Sequence, residues 1–329
     1  MSRPFCELHL HIEGTLEPPT IFELARQQSI ALAYADEGEL AARYSFDDLQ
    51  SFLDLYYENM RVLGDEDSFA ALTWAYLLRA QRAGVAHVEL FVDPQAHSAR
   101  GVPERVVLRG IRRSLERAES ELGITSGIFV CVLRDQPVAS AHAMLDAVID
   151  AGIPVLGLGL DSAEVGYPPA LFTSVFDAAR SAGLHVVAHA GEEGPAAYVW
   201  EALDLLGAER IDHGIHALDD DALVARLVRD RIPLTVCPLS NVALKVVGDV
   251  GAVPIRRMLD AGLQVTINSD DPAYFGGYLD DNLAAVEAAH ALTAADLDLL
   301  CRNSIQASFA SAARRSELLA RLDGQAARS

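Results

Sequence analysis

The amino-acid sequence predicts an α/β fold of the (β/α)8 type, a TIM barrel formed by a single domain spanning residues 1–329. Eight short apolar segments resemble strands, and periodic helix-like stretches separate them. Several of the segments are near-continuous and β-branched, as expected for parallel strands that are covered on both faces. A chain of 329 residues also has the length of one barrel with an insertion. Eight strand-helix units therefore favour a closed barrel over a doubly wound sheet.

The predicted strands follow one another at fairly regular spacing along the chain. In order they are residues 5–10, 85–92, 127–133, 155–160, 184–189, 210–213, 234–237 and 263–268. Intervening stretches rich in Ala, Leu and Arg, such as 104–122, have helical periodicity. Gly183 and Gly262 stand between a helix-like stretch and the next strand, where a glycine commonly ends a helix.

The helical insertion is predicted between the first two strands, at about residues 14–84. Within it, an apolar stripe at helical spacing comprises Leu49, Phe52, Leu53, Tyr56, Tyr57 and Met60. Residues 45–48 are predicted to form a capping box at the start of this helix. A segment that follows strand one emerges at the catalytic end of a barrel, so we expect a lid there. Ordinary packing of the stripe on the barrel is the alternative.

The charge and composition of the chain restrict its partners and its location. The chain carries 26 basic and 47 acidic residues, and this formal charge of −21 disfavours binding to nucleic acid or to anionic lipid. No apolar run approaches the ~18 residues of a membrane span, and the first twenty residues contain no leader-like segment. The four cysteines form no C-x-x-C pair, which indicates free thiols and a cytoplasmic location.

Candidate metal ligands lie at three predicted strand ends. His9 and His11 are two residues apart on the first strand and therefore point to the same side. His189 ends the fifth strand, and Asp270 follows the eighth. The carboxyl ends of barrel strands share one rim. Three imidazoles and one carboxylate suit zinc with a position left for water, and bound metal lowers the pKa of that water from about 15.7 to about 7.

Candidate catalytic residues lie beside these ligands on the same rim. His213 ends the sixth strand, where it can take a proton from the water or orient the water. Glu192 comes three residues after His189 and is free to donate a proton. Adjacent residues on an extended chain face opposite ways, so Asp271 can reach substrate while its neighbour binds metal.

A two-metal centre is the main competing arrangement for this rim. In barrel hydrolases with two metal ions, the ligand that bridges the ions is commonly a carboxylated lysine on a middle strand. The only lysine, Lys245, lies after the seventh strand, which favours a single metal. Other motifs are incomplete: no G-x-S-x-G elbow is present, and Ser162 stands where a dinucleotide loop needs its third glycine.

Five motifs in order make the chain resemble the adenosine/adenine deaminase family of metal-dependent hydrolases. They are HLHIEG at 9–14, HAGE at 189–192, DHG at 212–214, CPLSN at 237–241 and SDDP at 269–272. The resemblance extends from about residue 7 to residue 309 and implies a zinc-dependent aminohydrolase. It implies one zinc ion per chain, with iron left open, held by His9, His11, His189 and Asp270. His213 would orient the water, Glu192 would protonate purine N1 and Asp271 would hold N7.

The resemblance also bears on the substrate. Glu13 replaces the aspartate that adenosine deaminases usually carry, and segments 89–95, 159–164 and 268–278 are similar to the adenine deaminase branch. By analogy, Ser162 or Glu164 would contact the free base, and Asp161 is a further candidate. A role as a hydrogen-bonded loop brace is the alternative for Asp161 and Glu164.

The expected reaction is hydrolysis of adenine to hypoxanthine and ammonia by zinc-activated water attack at C6, a step of purine salvage. Deamination of adenosine, another adenine nucleoside or an N6-substituted adenine is the alternative. A non-catalytic, metal-stabilised binding protein is a remote alternative. The only partner expected is a small-molecule purine, and a homo-oligomer is left open.

Overall fold

The computed structural model describes residues 3–326, and within this range eight parallel strands form a single sheet. Each strand pairs with the next one in the chain. The strands are β1 Cys6–His11, β2 His87–Val92, β3 Thr125–Leu133, β4 Gly157–Asp161, β5 His185–Ala190, β6 Arg210–His213, β7 Pro233–Val236 and β8 Gln264–Ile267. The predicted TIM barrel is thereby confirmed, and strand ends differ from the predicted ones by two residues or fewer.

Backbone hydrogen bonds just beyond β8 close the sheet onto β1. The amide of His11 donates to the carbonyl of Asp270 at 3.0 Å, and the amide of Asp270 donates to the carbonyl of His9 at 3.1 Å. These bonds place the residue after β8 directly beside the two histidines of β1. The closure therefore positions predicted ligands that are some 260 residues apart in sequence.

Helices cover the outside of the barrel and its carboxyl rim. They are α1 Pro18–Gln28, α2 Glu37–Ala41, α3 Leu49–Asn59, α4 Glu66–Ala83, α5 Pro94–Ser98, α6 Glu104–Leu122, α7 Val138–Ala151, α8 Thr173–Ser181, α9 Ala196–Glu201, α10 Asp221–Asp230, α11 Pro238–Ala243, α12 Ile255–Asp260, α13 Pro272–Phe275, α14 Leu279–His290, α15 Ala294–Ala307 and α16 Ala312–Ala326. Across residues 3–326, no helix is both long and apolar enough to cross a membrane.

The segment between β1 and β2 contains α1 to α4. Helix α4 packs along α6, where the hydroxyl of Ser114 donates to the carbonyl of Ala70 at 2.7 Å. Gly110 allows this approach, because a Cβ there would lie 2.6 Å from the Cβ of Phe69. Helix α4 is thus part of the outer ring, and the extra helices are α1 to α3.

The start of α3 differs from the sequence prediction. The capping residue is Asp48, whose side chain accepts from the amide of Ser51 at 2.8 Å, while the hydroxyl of Ser51 accepts from the amide of Asp48 at 3.1 Å. The predicted capping box at residues 45–48 is therefore wrong by three residues. Reciprocal bonding between an aspartate and a serine satisfies the same unpaired amides as the expected pattern.

Candidate active site

The four predicted metal ligands meet at the carboxyl end of the barrel. One ligand atom from each of His9, His11, His189 and Asp270 lies within 4.8 Å of the other three, and all four residues are buried. Nε2 of His11 is 3.3 Å from Nε2 of His189 and 3.6 Å from Oδ1 of Asp270. Nε2 of His9 is 3.3 Å from the same carboxylate oxygen.

The cluster fits a metal ion, because its nitrogen and oxygen atoms face one another and most of them carry no proton that would block binding. Burial lowers the pKa of His11 to about 4 and the pKa of His189 well below its usual value, so both imidazoles are neutral. Burial alone would raise the pKa of Asp270, but the neighbouring imidazoles hold it well below its usual range. Nε2 of His9 is buried and has no hydrogen-bond partner. Spacings near 3.3 Å match a tetrahedron with metal–nitrogen bonds of about 2.0–2.1 Å.

Carboxylates lie near the far side of two ligand rings. Nδ1 of His11 lies 3.6 Å from Oδ2 of Asp161, and Nδ1 of His189 lies 3.7 Å from Oδ2 of Asp212. Both separations are longer than a hydrogen bond, so these carboxylates are neighbours of the ligand rings and not hydrogen-bond acceptors for them. Asp212 precedes the predicted catalytic residue His213 and was not itself predicted as a site residue.

Glu192 and His213 adjoin the cluster and have opposite protonation tendencies. Nε2 of His213 lies 3.5 Å from Oε2 of Glu192 and 3.7 Å from Oδ2 of Asp270. Burial, followed by the charge of Asp270, raises the pKa of Glu192 well above its usual value. Burial and the neighbouring imidazole of His9 lower the pKa of His213 to about 3. Near neutral pH Glu192 therefore holds a proton that it can donate, and His213 has a free lone pair.

The two consecutive aspartates both line the cavity beside the cluster. Asp270 has a φ of +64°, in the left-handed region. Asp271 is the N-terminal capping residue of α13 and lines the cavity beside the cluster. Its side chain lies against Gly14, where a Cβ would come within 2.1 Å of Oδ1 of Asp271. Only glycine leaves room for this carboxyl, which explains the glycine of the first motif.

The cavity beside the cluster has a polar inner side and an apolar outer side. Its lining residues are His11, Leu49, Phe52, Leu53, Tyr56, Tyr57, Asp93, Asp161, Ser162, His189, Glu192, His213, Leu244, Asp270, Asp271 and Phe275. Of the predicted substrate contacts, Asp161, Ser162 and Asp271 line it. Asp93, which follows β2, was missed, although it stands at a strand end as the predicted residues do. Tyr56 and Tyr57 of α3, which belong to the predicted apolar stripe, also line the cavity.

Two predicted substrate contacts, Glu13 and Glu164, do not line this cavity. Oε1 of Glu13 accepts from the backbone amide of Asp93 at 3.1 Å and pairs with Nε2 of His97 at 2.8 Å. Glu13 is fully buried. Its side chain thus binds the β2–α5 connection, and Glu13 does not line the cavity where the sequence predicts a substrate contact.

Glu164 braces the loop that carries Glu192. Its carboxylate accepts four backbone amides at 2.7–3.0 Å, those of Gly191, Glu192, Glu193 and Gly194. Hydrogen bonds to a charged acceptor are stronger than neutral ones. The hydrogen bonds of Glu164 are those of the predicted loop brace, and Glu164 does not line the cavity.

Comparison with known proteins agrees with this geometry. The sequence model of the family described as adenosine deaminase matches residues 4–325. The chain belongs to the adenosine deaminase family. Family membership accounts for the five motifs and for their positions at the strand ends.

Several members of the adenosine deaminase family are highly similar to this chain. An adenine deaminase of Cupriavidus necator is 52% identical over 320 residues, which are 97% of this chain and 91% of that protein. An adenine deaminase of Streptomyces coelicolor is 55% identical over 309 residues, 94% of this chain and 91% of that protein.

Solved structures of similar proteins share the fold closely. The crystal structure of an adenine deaminase from Arthrobacter aurescens has a TM-score of 0.97 and 48% identity, covering 99% of both chains. An amidohydrolase from Burkholderia ambifaria, crystallised with bound zinc, has a TM-score of 0.90 and 26% identity, covering 98% of this chain and 90% of that one.

Proposed function

We propose that this protein is a zinc-dependent adenine deaminase that converts adenine and water into hypoxanthine and ammonia. The observation that carries the proposal is the placement of a proton-holding Glu192 and a proton-free His213 beside the four-ligand cluster. An aminopurine needs a proton at N1 and a deprotonated water at C6 in the same step. The adenine deaminases that are 52% and 55% identical to the chain support the same reaction.

The proposed mechanism uses each side chain at a stated atom of the substrate. When bound, the metal supplies the Lewis acidity that makes a water acidic near neutral pH. Glu192 donates its proton to N1, which makes C6 electrophilic. His213 accepts a proton as the water oxygen adds to C6. That proton leaves with the amino group as ammonia, and the second proton of the water returns to Glu192.

Asp271 orients the ring during these transfers. Burial and the charge of Asp270 raise the pKa of Asp271 well above its usual value, so its carboxyl holds a proton. A protonated carboxyl donates a hydrogen bond to N7, which has a lone pair but no proton when N9 carries the hydrogen. Glu192 and Asp271 thus hold opposite sides of the reacting carbon.

The polar inner side supports a free base as the substrate. Asp93 and Asp161 are buried, line the cavity, and each has an Oδ1 atom without a hydrogen-bond partner. The neighbouring hydroxyl of Ser162 is likewise unpartnered. A free purine presents an N–H on its imidazole ring, and a nucleoside replaces that hydrogen with a sugar. Burial raises the pKa of Asp93 well above its usual value and the pKa of Asp161 to about 7, so this pair retains a proton near neutral pH. We assign an oxygen of the pair that carries no proton to accept the N–H of adenine.

The substrate assignment is tested by ammonia release from adenine, adenosine and N6-methyladenine under the same conditions. We expect the highest kcat/KM with adenine. Faster turnover of adenosine would overturn the free-base assignment and retain the reaction class. Absence of ammonia from all three with a fully metallated protein would overturn the deaminase proposal and favour a binding protein.

The proposal includes zinc as the native metal, a cytoplasmic location and α3 as a lid over the cavity. Three nitrogen ligands and one oxygen ligand suit zinc. Four buried free cysteines suit a reducing compartment. Metal analysis of protein purified without added metal tests the first point: about one zinc per chain is expected, and a predominance of iron contradicts it.

A further inference from the structure

Thr235 lies on β7, a strand that contributes no ligand to the cluster. It is fully buried, and its register partner on β8 is another buried threonine, Thr266. The hydroxyl of Thr235 lies 3.0 Å from Nδ1 of His9, on the side of the ring away from the cluster. Thr235 thus touches a candidate metal ligand from behind.

The hydrogen bonds of this hydroxyl determine where the proton of His9 resides. Oγ1 of Thr235 donates to Oδ1 of Asp212 at 2.7 Å. A threonine hydroxyl has one proton, so towards His9 it can only accept. Nδ1 of His9 therefore carries a ring proton, which leaves Nε2 as the nitrogen that can offer a lone pair to a metal ion. Nε2 is the buried atom without a partner that faces the cluster.

A buried cation lies beside the same oxygen of Asp212. Nε of Arg210 lies 3.6 Å from Oδ1 of Asp212. Arg210 is fully buried, and its guanidinium donates to Glu89 and to the carbonyl of Leu8. The oxygen of Asp212 that accepts from Thr235 therefore also faces a guanidinium.

We propose that Thr235 is a positioning residue that holds His9 in the Nδ1-protonated tautomer, so that Nε2 is available to the metal. The inference rests on the metal site of the proposed function and goes beyond it, because it assigns a role to a residue that does not reach the cavity. Loss of a hydrogen-bond partner of this kind typically lowers metal affinity or activity about tenfold to a hundredfold.

The test measures zinc affinity directly, by competition with a chromophoric chelator on the metal-free full-length protein. Thr235→Val removes the hydroxyl at nearly constant volume and is expected to weaken zinc binding about tenfold to a hundredfold. Thr235→Ser keeps the hydroxyl and is expected to bind zinc within about threefold of wild type. Rescue by serine separates the hydrogen bond from simple packing.

Thr266→Val is the matched control, because Thr266 is equally buried and its hydroxyl contacts Asn268 and the carbonyl of Leu234, away from the ligands. We expect it to change thermal stability but not zinc affinity. Equal zinc affinities for wild type and Thr235→Val would overturn the inference, as would equal weakening by both valine variants. Since no substrate is involved, an error in the assigned reaction does not affect these outcomes.

Discussion

The inner and outer walls of the cavity are built in different ways. The inner wall includes His11, His189, Glu192, His213 and Asp270, which lie at the ends of β1, β5, β6 and β8 or just after them. The outer wall consists of Leu49, Phe52, Leu53, Tyr56 and Tyr57 of α3. Inter-strand hydrogen bonds fix the backbone of the inner wall, whereas apolar contacts hold the outer wall.

Those apolar contacts are mainly between aromatic rings. The ring centroid of Phe52 lies 4.7 Å from that of Phe275 and 4.9 Å from that of Tyr56. Such contacts are individually weak and less directional than backbone hydrogen bonds. The difference indicates that the inner wall determines the reaction, while the outer wall determines how tightly a ring is enclosed.

The largest effect is expected from loss of an inner-wall ligand. His189→Ala should abolish stable zinc binding and lower kcat/KM by ~10⁴-fold or more, because no other group makes water acidic near neutral pH. Metal analysis and ammonia release measure both effects. His185→Ala is the control, since His185 lies at the opposite end of the same strand, is half-buried and pairs with Glu209. A variant at 189 that keeps its zinc would contradict the ligand assignment.

Glu192→Gln should be the next largest change. Loss of the proton donor is expected to lower kcat by about 10²- to 10⁴-fold while zinc content stays unchanged. Glu193→Gln, at the adjacent and half-buried position, should retain most activity. Full activity of Glu192→Gln would show that another group protonates N1.

The pH dependence of kcat provides a separate test of Glu192. The reaction needs Glu192 protonated, and burial raises its pKa well above the usual value. The active form is therefore present below this raised pKa, and kcat is expected to fall as the pH rises through it. An alkaline limb that persists unchanged in the residual activity of Glu192→Gln would assign that limb to another group.

An intermediate effect is expected where the inner wall is braced from outside the cavity. Glu164→Gln leaves an amide nitrogen facing at least one of four backbone N–H groups and should destabilise the folded protein by about 1.5–3 kcal/mol. Urea unfolding of the metal-free protein measures this loss. Glu201→Gln is the control, because Glu201 accepts a single, exposed amide from Ala170. Equal stability of the two variants would contradict the brace.

The smallest effect is expected at the outer wall. Phe52→Leu should raise KM for adenine about fivefold with little change in kcat, because it removes contacts made equally with the bound substrate and the transition state. Steady-state kinetics measure both constants. A fall in kcat of more than tenfold with an unchanged KM would mean that α3 takes part in the chemistry, and the contrast between the two walls would disappear.

Most of the fold and the inner wall could be predicted from the sequence. Parallel strands covered on both faces require apolar, β-branched runs, so all eight were recognisable. Metal ligands and proton donors must be particular side chains at particular strand ends, and the sequence pattern therefore predicts them at His9, His11, His189, Glu192, His213 and Asp270. The apolar stripe predicts the helix of the outer wall. The predicted capping box is three residues too early, because serine and aspartate are both favourable capping residues and both occur at several positions here.

Only the tertiary structure decided where the remaining polar side chains point. Glu13 lies within the first motif and Glu164 within the segment 159–164, yet Glu13 reaches His97 and Glu164 binds the loop at residues 191–194. Thr235 lies 226 residues from His9 in the sequence, and their hydrogen bond exists because closure of the barrel brings β7 near β1. Local sequence determines which side chains are available, whereas contacts between distant strands determine which partner each one binds.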